Sequence, residues 1–364
     1  MKLLRAIIQN GLLVVTSVLV LFLVLEAGTR VYTGNYSFGN ILEDHLRISM
    51  ALYPTRYDEI LGWASREGEL KKDRNVERIT ILKGGIRSNG EHSRREYAAG
   101  ERPVLAIGDS YTFGYEVKDN ETWPAILEGM IGRRVINGGV FAYGMDQALV
   151  RARQLLDTYD PDTLIFSFIP NDIWRCQISS RAGVNKPYFS VRSNKLVLEN
   201  TPVPRPALTD FGNPGIRKYL GYSAFMHYFM MNYGFGMWWI RGEQWTDNKV
   251  HDDATGEKIA CMIIRELDQL AVDKGIKVYL LAQYGRNTNS PWVDKTRRVI
   301  KCANPENLTV IDLHEPLLNV KEMDEQEYKL FFTKGRQHHM TFDGNTFVAK
   351  EIYKAMAESG AGAQ

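Results

Sequence analysis

From residue 103 onward, short apolar runs rich in β-formers alternate with stretches of helical character. No other feature constrains the chain as much. VLAIG (104–108) precedes TWPAILEGMIG, RVIN (134–137) precedes DQALVRARQLLDTY, and DTLIFSFI (162–169) closes the first series. After a long interruption come IKVYLLA (276–282) and LTVIDL (308–313), each behind a helix-like stretch, 254–274 and 292–303. Strands separated by helices do not pair as hairpins; they build a parallel sheet with helices on both faces. The expected architecture is three-layer α/β/α around a five-stranded, mostly parallel sheet. Ligands bind such sheets beyond the carboxyl ends of the strands, at the topological switch point, so chemistry is expected just after each strand.

The N-terminus has a different character. Residues 6–25, AIIQNGLLVVTSVLVLFLVL, carry no charge; Lys2 and Arg5 precede them and Glu26 follows. Twenty helical residues span about 30 Å, the thickness of a bilayer's hydrocarbon core. The basic flank places the short N-terminus in the cytoplasm and the bulk of the chain outside. The rival reading is a cleaved signal peptide, whose apolar core is about 7–15 residues long and ends in a small-x-small site. Cutting after Ala27 or Gly28 would put Leu25 or Glu26 at the −3 position, and both are poor. The expectation is a signal anchor within 1–33, in a cell (inner) membrane crossed once, with the rest of the chain periplasmic or otherwise extracytoplasmic.

Between anchor and sheet, residues 34–102 are polar and irregular. YDEILGW (57–63) and ITILKGGIRSNG (79–90) read as short strands with glycine turns, in a leading arm without its own core. The main domain is expected over 103–358, with a flexible tail at 359–364. Its interruption, about 175–250, is Pro- and Asn-rich at first, then holds ten aromatic residues between Tyr219 and Trp245. Three readings are open for that part: an insert packed on the main domain, a substrate cover, or a patch on the membrane interface, where Trp and Tyr are favoured.

Lys plus Arg number 45 against 43 Asp plus Glu in 364 residues, so there is no nucleic-acid footprint. Three cysteines, Cys176, Cys261 and Cys302, are too few for a disulfide framework and lack metal-ligand spacing. Any two could pair in an oxidising space; three buried thiols is the alternative.

Four segments carry candidate chemistry. The first strand ends in Gly108-Asp109-Ser110-Tyr111-Thr112-Phe113-Gly114. A serine in a turn feeding a helix exposes its hydroxyl beside backbone N–H groups, but needs a base to become a nucleophile. The second strand runs into Asn137-Gly138-Gly139-Val140-Phe141-Ala142-Tyr143-Gly144, a turn with free N–H groups that allows close approach. The third precedes Pro170-Asn171-Asp172, where Asn171 can donate to an oxyanion or simply cap a turn. Near the C-terminus stands His338-His339-Met340-Thr341, then Gly344-Asn345. A neutral imidazole is the usual base for a serine hydroxyl. No second ligand cluster stands near the paired histidines, so no metal and no other cofactor is implied.

The order of these segments resembles the SGNH, or GDSL, hydrolase family, and the resemblance covers about 103–357. It is carried by G-D-S-Y-T-F-G, by Asn171-Asp172 and by H-x-T-x-x-G-N at 339–345. The lead-in is similar to that of membrane-anchored members, with a YD-x-x-x-GW segment and a short hairpin before the first motif. The resemblance implies a flavodoxin-like fold, Ser110 as nucleophile and first oxyanion-hole N–H, Asn171 as side-chain donor, and His339 rather than His338 as base. Asp109 and Asp172 would be structural. Two departures stand out. The family's oxyanion-hole glycine aligns with Ala142, which serves if its φ is negative. The family's orienting aspartate, two or three residues before the histidine, falls on Gln337 and Arg336. Gln337, a backbone carbonyl or Asp343 could then hold the ring. Loss of that carboxylate costs about 10⁴ in kcat in a serine triad.

The resulting expectation is a serine esterase acting on acyl, chiefly acetyl, esters, with an O-acylated envelope or extracellular polysaccharide as the family-level substrate; the sequence does not indicate whether it has protein partners. The alternatives are an O-acyltransferase using the same site, an inactive SGNH-like scaffold or glycan-binding protein, and a lipid-facing lipase or thioesterase.

Overall fold

The computed structural model describes residues 2–34, 36, 38–42, 55–70, 79–91, 100–181, 183–205, 215–241, 247–287, 291–334 and 338–360. The chain divides into two compact units, one made of 1–53 with 206–246 and the other of 54–205 with 247–364.

The larger unit is built on one eight-stranded sheet. Its strands are β1 (Gly68–Leu70), β2 (Ile79–Leu82), β3 (Ile86–Arg87), β4 (Val104–Ile107), β5 (Val135–Asn137), β6 (Thr163–Phe168), β7 (Lys277–Ala282) and β8 (Leu308–Asp312). They stand in the order β8-β7-β6-β4-β5-β3-β2-β1. The five from β4 onward are mutually parallel, as the β/α alternation predicts. Every residue of β4 and β6 is buried, which is why these strands read as unbroken apolar runs rather than alternating ones. Numbered along the chain, the five parallel strands run 2-1-3-4-5. The order reverses between β4 and β6, and this is the switch point where a ligand crevice forms.

The sheet is wider than the expected five strands. The leading arm adds β3, β2 and β1, all antiparallel, through the pairing of Arg87 with Asn137. The YDEILGW segment folds as a hairpin, Thr55–Asp58 against Gly62–Ser65.

Helices cover both faces. Trp123–Ile131, the crossover from β4 to β5, packs on the last helix, Phe342–Glu358. Met145–Tyr159, Asp253–Lys274 and Pro291–Ile300 carry the crossovers that run the other way along the sheet. Asp253–Lys274 packs on both of its companions. Right-handed crossovers in opposite directions put their helices on opposite faces. A disulfide joins Cys261 and Cys302, and Cys176 is a buried free thiol. The first part of the interruption forms two small hairpins, Ser180–Arg181 with Val184–Asn185 and Tyr188–Arg192 with Lys195–Glu199.

The smaller unit joins the N-terminal helix, Lys2–Thr33, to three short helices from the aromatic segment: Ile216–Leu220, Ala224–Asn232 and Gly236–Arg241. Residues Ile7–Thr33 are long and apolar enough to cross a membrane, and none of that span is buried. Glu26 accepts hydrogen bonds from the Ser223 hydroxyl (2.7 Å) and from the backbone N–H of Ala224 (2.9 Å) and Phe225 (3.0 Å). The aromatic segment thus packs on the N-terminal helix. Trp245 lies outside the described residues.

Candidate active site

Ser110 opens a one-turn helix, Ser110–Phe113, directly after β4. Asp109 caps that turn by accepting the N–H of Tyr111 at 2.9 Å, and Gly114 ends it in the left-handed region at φ 74°. Gly108 is required by packing: a Cβ there would stand 2.7 Å from the Ser167 carbonyl of neighbouring β6. Gly139 is required likewise, since its Cβ would meet the Phe113 amide nitrogen at 2.6 Å. The Gly-rich turn after β5 therefore lies against the serine's own helix. Asn137 holds it there, donating to the Thr112 carbonyl at 3.0 Å and accepting from the Gly139 N–H at 3.1 Å.

His339 enters the same rim from the far end of the chain. Its Nε2 lies 3.0 Å from Ser110 Oγ across 229 positions of sequence. The residues after it explain the spacing of the motif. Thr341 caps the last helix, accepting from the Gly344 N–H at 3.3 Å, and donates to the Leu330 carbonyl at 2.6 Å. Asn345 donates to the Met340 and Thr341 carbonyls and accepts the N–H of Trp123 at 2.9 Å. That last bond ties the start of the last helix, just after the histidine loop, to the helix Trp123–Ile131. Rings of Tyr111 and Tyr115 flank the imidazole at 5.3 and 5.7 Å. Burial, with Asp109 and Asp172 nearby, pushes the Tyr111 phenol above its ordinary value. It stays neutral and donates to the His338 carbonyl at 3.1 Å. His338 faces elsewhere, with Nδ1 3.2 Å from the Thr333 carbonyl.

Asn171 is exposed in the first turn of Pro170–Arg175, immediately beyond β6. Its neighbour ties it to the serine. Arg175 donates through Nη1 to Asp172 Oδ1 (2.5 Å), Asp109 Oδ2 (3.3 Å) and the Tyr143 carbonyl (2.7 Å). One guanidinium therefore holds the residues adjacent to Ser110, Asn171 and Ala142 on one rim. Asp109 accepts the Tyr111 N–H and Asp172 the Ile169 N–H at 3.0 Å; the sequence carries no sign of the cation that joins them.

Ala142 departs from its expectation. Its φ is +63°, in the left-handed region, not negative. An L-residue pays about 1–2 kcal/mol there, and the glycine that the family places here avoids that cost. The turn is held by the leading arm: Trp63 donates to the Phe141 carbonyl at 2.8 Å, and the Tyr143 hydroxyl donates to the Trp63 carbonyl at 2.5 Å.

A carboxylate approaches the imidazole from an unexpected place. Arg336 and Gln337 lie outside the described residues, and Asp343 is exposed in the first turn of the last helix. Glu116, six positions after the serine, puts Oε1 3.7 Å from His339 Nδ1. The loop that carries it is bracketed by buried Arg87 of β3, which donates to the Gly114 and Val117 carbonyls at 3.4 and 3.0 Å and pairs with Asp119 at 3.1 Å. The one available signal was a carboxylate close behind the serine in the otherwise apolar run YTFGYEV. Among the described residues, no group of three or more His, Cys, Asp or Glu gathers as a metal site.

No family model matches the chain. Over 74 residues it is 31% identical to an arylesterase from Vibrio mimicus, a match covering 19% of this chain and 37% of that protein. The chain thus spans little more than a third of that relative's length. Among solved structures it is similar to a protein named as lipolytic and of the G-D-S-L family from Desulfitobacterium hafniense (14% identity, 70% of this chain and 99% of that one, TM-score 0.39). It is also similar to a catalytic mutant of an acetylxylan esterase from Geobacillus stearothermophilus (13% identity, 72% and 96%, TM-score 0.39). What this chain is similar to, in sequence and among solved structures, are ester hydrolases and a lipolytic protein of the GDSL, or SGNH, kind.

Proposed function

We propose that the chain is a membrane-tethered, extracytoplasmic serine esterase that removes a small acyl group, acetyl fitting best, from a carbohydrate ester. The observation that carries this reading is the 3.0 Å approach of His339 Nε2 to Ser110 Oγ. His339 takes the hydroxyl proton as Ser110 Oγ bonds to the ester carbonyl carbon. The oxyanion that forms is met by the N–H groups of Ser110 and Ala142 and by the Asn171 carboxamide; the positive φ of Ala142 costs strain but leaves its N–H a donor. The tetrahedral species collapses, the C–O bond breaks, and His339 hydrogen-bonds and protonates the departing alcohol. Water, deprotonated by the same imidazole, then attacks the acyl-enzyme and releases the acid and free Ser110. Glu116 supplies the negative charge at Nδ1 that favours the imidazolium, in place of an aspartate just before the histidine.

Several features support the finer parts of the reading. Ser110 and His339 are 5% and 4% exposed, and Tyr115 packs on Phe141 at 4.7 Å beside them; so crowded an approach suits acetyl over a long acyl chain. The likeness to an arylesterase points to the same reaction class. The Cys261–Cys302 disulfide suits an oxidising compartment. The bonds from Glu26 to Ser223, Ala224 and Phe225 favour a retained anchor through residues 6–25, since the end of a cleaved signal peptide would have no such place in the folded protein.

The test is the initial rate on a short-chain aryl ester for wild type, Ser110→Ala and His339→Ala. Both substitutions are expected to lower kcat by about 10³-fold or more. An unchanged rate for Ser110→Ala in protein free of other esterases contradicts the proposal.

A further inference from the structure

Glu26 is the first charge after the uncharged run 6–25, so it stands where a spanning helix leaves the hydrocarbon. A carboxylate at that depth is costly unless paired. Here it is paired with Arg30 at 2.7 Å and accepts the Ser223 hydroxyl and two N–H groups at the start of Ala224–Asn232. Arg30 in turn donates to the Tyr222 carbonyl at 2.9 Å. Edge-to-face ring pairs continue the contact, Phe22 with Phe225 at 6.0 Å and Tyr32 with Tyr228 at 5.8 Å. From Glu26 to Thr33 the helix climbs about 10 Å, enough to cross one headgroup layer of about 5–8 Å. Ala224–Asn232 is therefore clamped to the end of the proposed anchor that would cross the interface, and Gly236–Arg241 packs on it in turn.

Their surface matches that location. Tyr219, Tyr233, Phe235 and Trp238 are 76%, 63%, 50% and 51% exposed. An apolar patch of this kind marks an interaction site. Residues 216–241 carry Arg217, Lys218 and Arg241 and no acidic residue, in a chain whose charges otherwise nearly balance. Exposed aromatic rings with basic residues and no acids are the composition of a segment lying in a bilayer interface, and each basic residue near an anionic surface strengthens the contact.

We infer that residues 216–241 are a lipid-binding segment that lies in the headgroup layer of an anionic bilayer beside the exit of the N-terminal helix. It is a second membrane contact in addition to the span. The inference rests on the proposed anchoring and is independent of the chemistry at Ser110.

The test places a nitroxide on Phe235→Cys or Trp238→Cys in the full chain, reconstituted in phosphatidylcholine–phosphatidylglycerol vesicles, with Lys195→Cys in the larger unit as control. Power saturation is expected to show both interfacial labels colliding with oxygen in preference to a nickel chelate, and the label at 195 doing the reverse. Labels at 235 and 238 that match the aqueous behaviour of 195 overturn the inference. So do labels shielded from both reagents, which would mark a protein partner or a second copy on this face. A chain that does not float with the vesicles overturns the anchoring as well. A label-free form uses brominated phospholipid: tryptophan quenching is expected in wild type and is reduced by Trp238→Phe, whereas quenching unaffected by that substitution contradicts the placement.

Discussion

Glu116 Oε1 stands 3.7 Å from His339 Nδ1, while Nε2 of the same ring faces Ser110 Oγ at 3.0 Å. On the proposed mechanism these three would serve as acid, base and nucleophile, with the carboxylate drawn from the loop that follows Ser110. Glu116→Gln is expected to lower kcat on a short aryl ester by about 10²–10⁴-fold with little change in KM. Glu116→Asp is expected to retain part of the rate. Steady-state kinetics with matched thermal melts check this, and a Gln variant with wild-type kcat contradicts the role.

Arg87 acts on that acid through the backbone. Its bonds to the carbonyls of Gly114 and Val117 enclose the loop on both sides of Glu116, and lysine, with a single ammonium, cannot reproduce the fork. Arg87→Lys is expected to lower kcat about tenfold in the wild-type background and hardly at all on top of Glu116→Gln. A double-mutant cycle measures the coupling, and equal effects in both backgrounds would show that Arg87 serves stability alone.

Ala142 holds a left-handed conformation that glycine adopts without strain. Its cost of about 1–2 kcal/mol exceeds the about 0.4–1 kcal/mol by which alanine restricts the unfolded chain. Ala142→Gly is therefore expected to raise stability by about 0.5–1 kcal/mol, with activity retained, as read from urea midpoints at constant m-value.

Arg175 joins two buried carboxylates. Burial, together with Asp109, pushes the Asp172 carboxyl well above the usual carboxylate range, against the opposing pull of Arg175. An acid whose folded value is raised binds its proton more tightly in the folded state. It therefore favours folding at low pH, and that contribution is lost as pH rises through the folded value. Arg175→Met is expected to cost about 3–5 kcal/mol near neutral pH. The deficit should narrow on acidification, because Asp172 can then be buried neutral. Denaturation at several pH values checks the slope, and a deficit independent of pH contradicts the account.

The parallel core and the pairing of Ser110 with His339 were legible because both leave local marks: continuous apolar runs for strands buried on both faces, and glycines or caps at fixed offsets around the two reactive residues. Of the three added strands, β2 and β3 fall in the 79–90 segment that reads as short strands with glycine turns; β1 and the joining of all three to the sheet were not legible, since they are 3, 4 and 2 residues long and owe their place to one register, Arg87 opposite Asn137. Composition does not display the sign of φ at Ala142. Glu116 escaped because its loop lies outside the recurring motifs, and only tertiary contact brings it to His339. The aromatic segment was visible as a segment, but its partner, the end of the N-terminal helix some 190 residues earlier, was not.

The most direct measurement is covalent labelling of the folded protein by a fluorophosphonate probe, followed by mapping of the labelled peptide, for wild type, Ser110→Ala and His339→Ala. A single adduct on Ser110 is expected in wild type, none in Ser110→Ala, and much slower labelling in His339→Ala. Folded wild-type protein that takes up no label, or takes it up equally well with Ser110 replaced, contradicts the proposed mechanism.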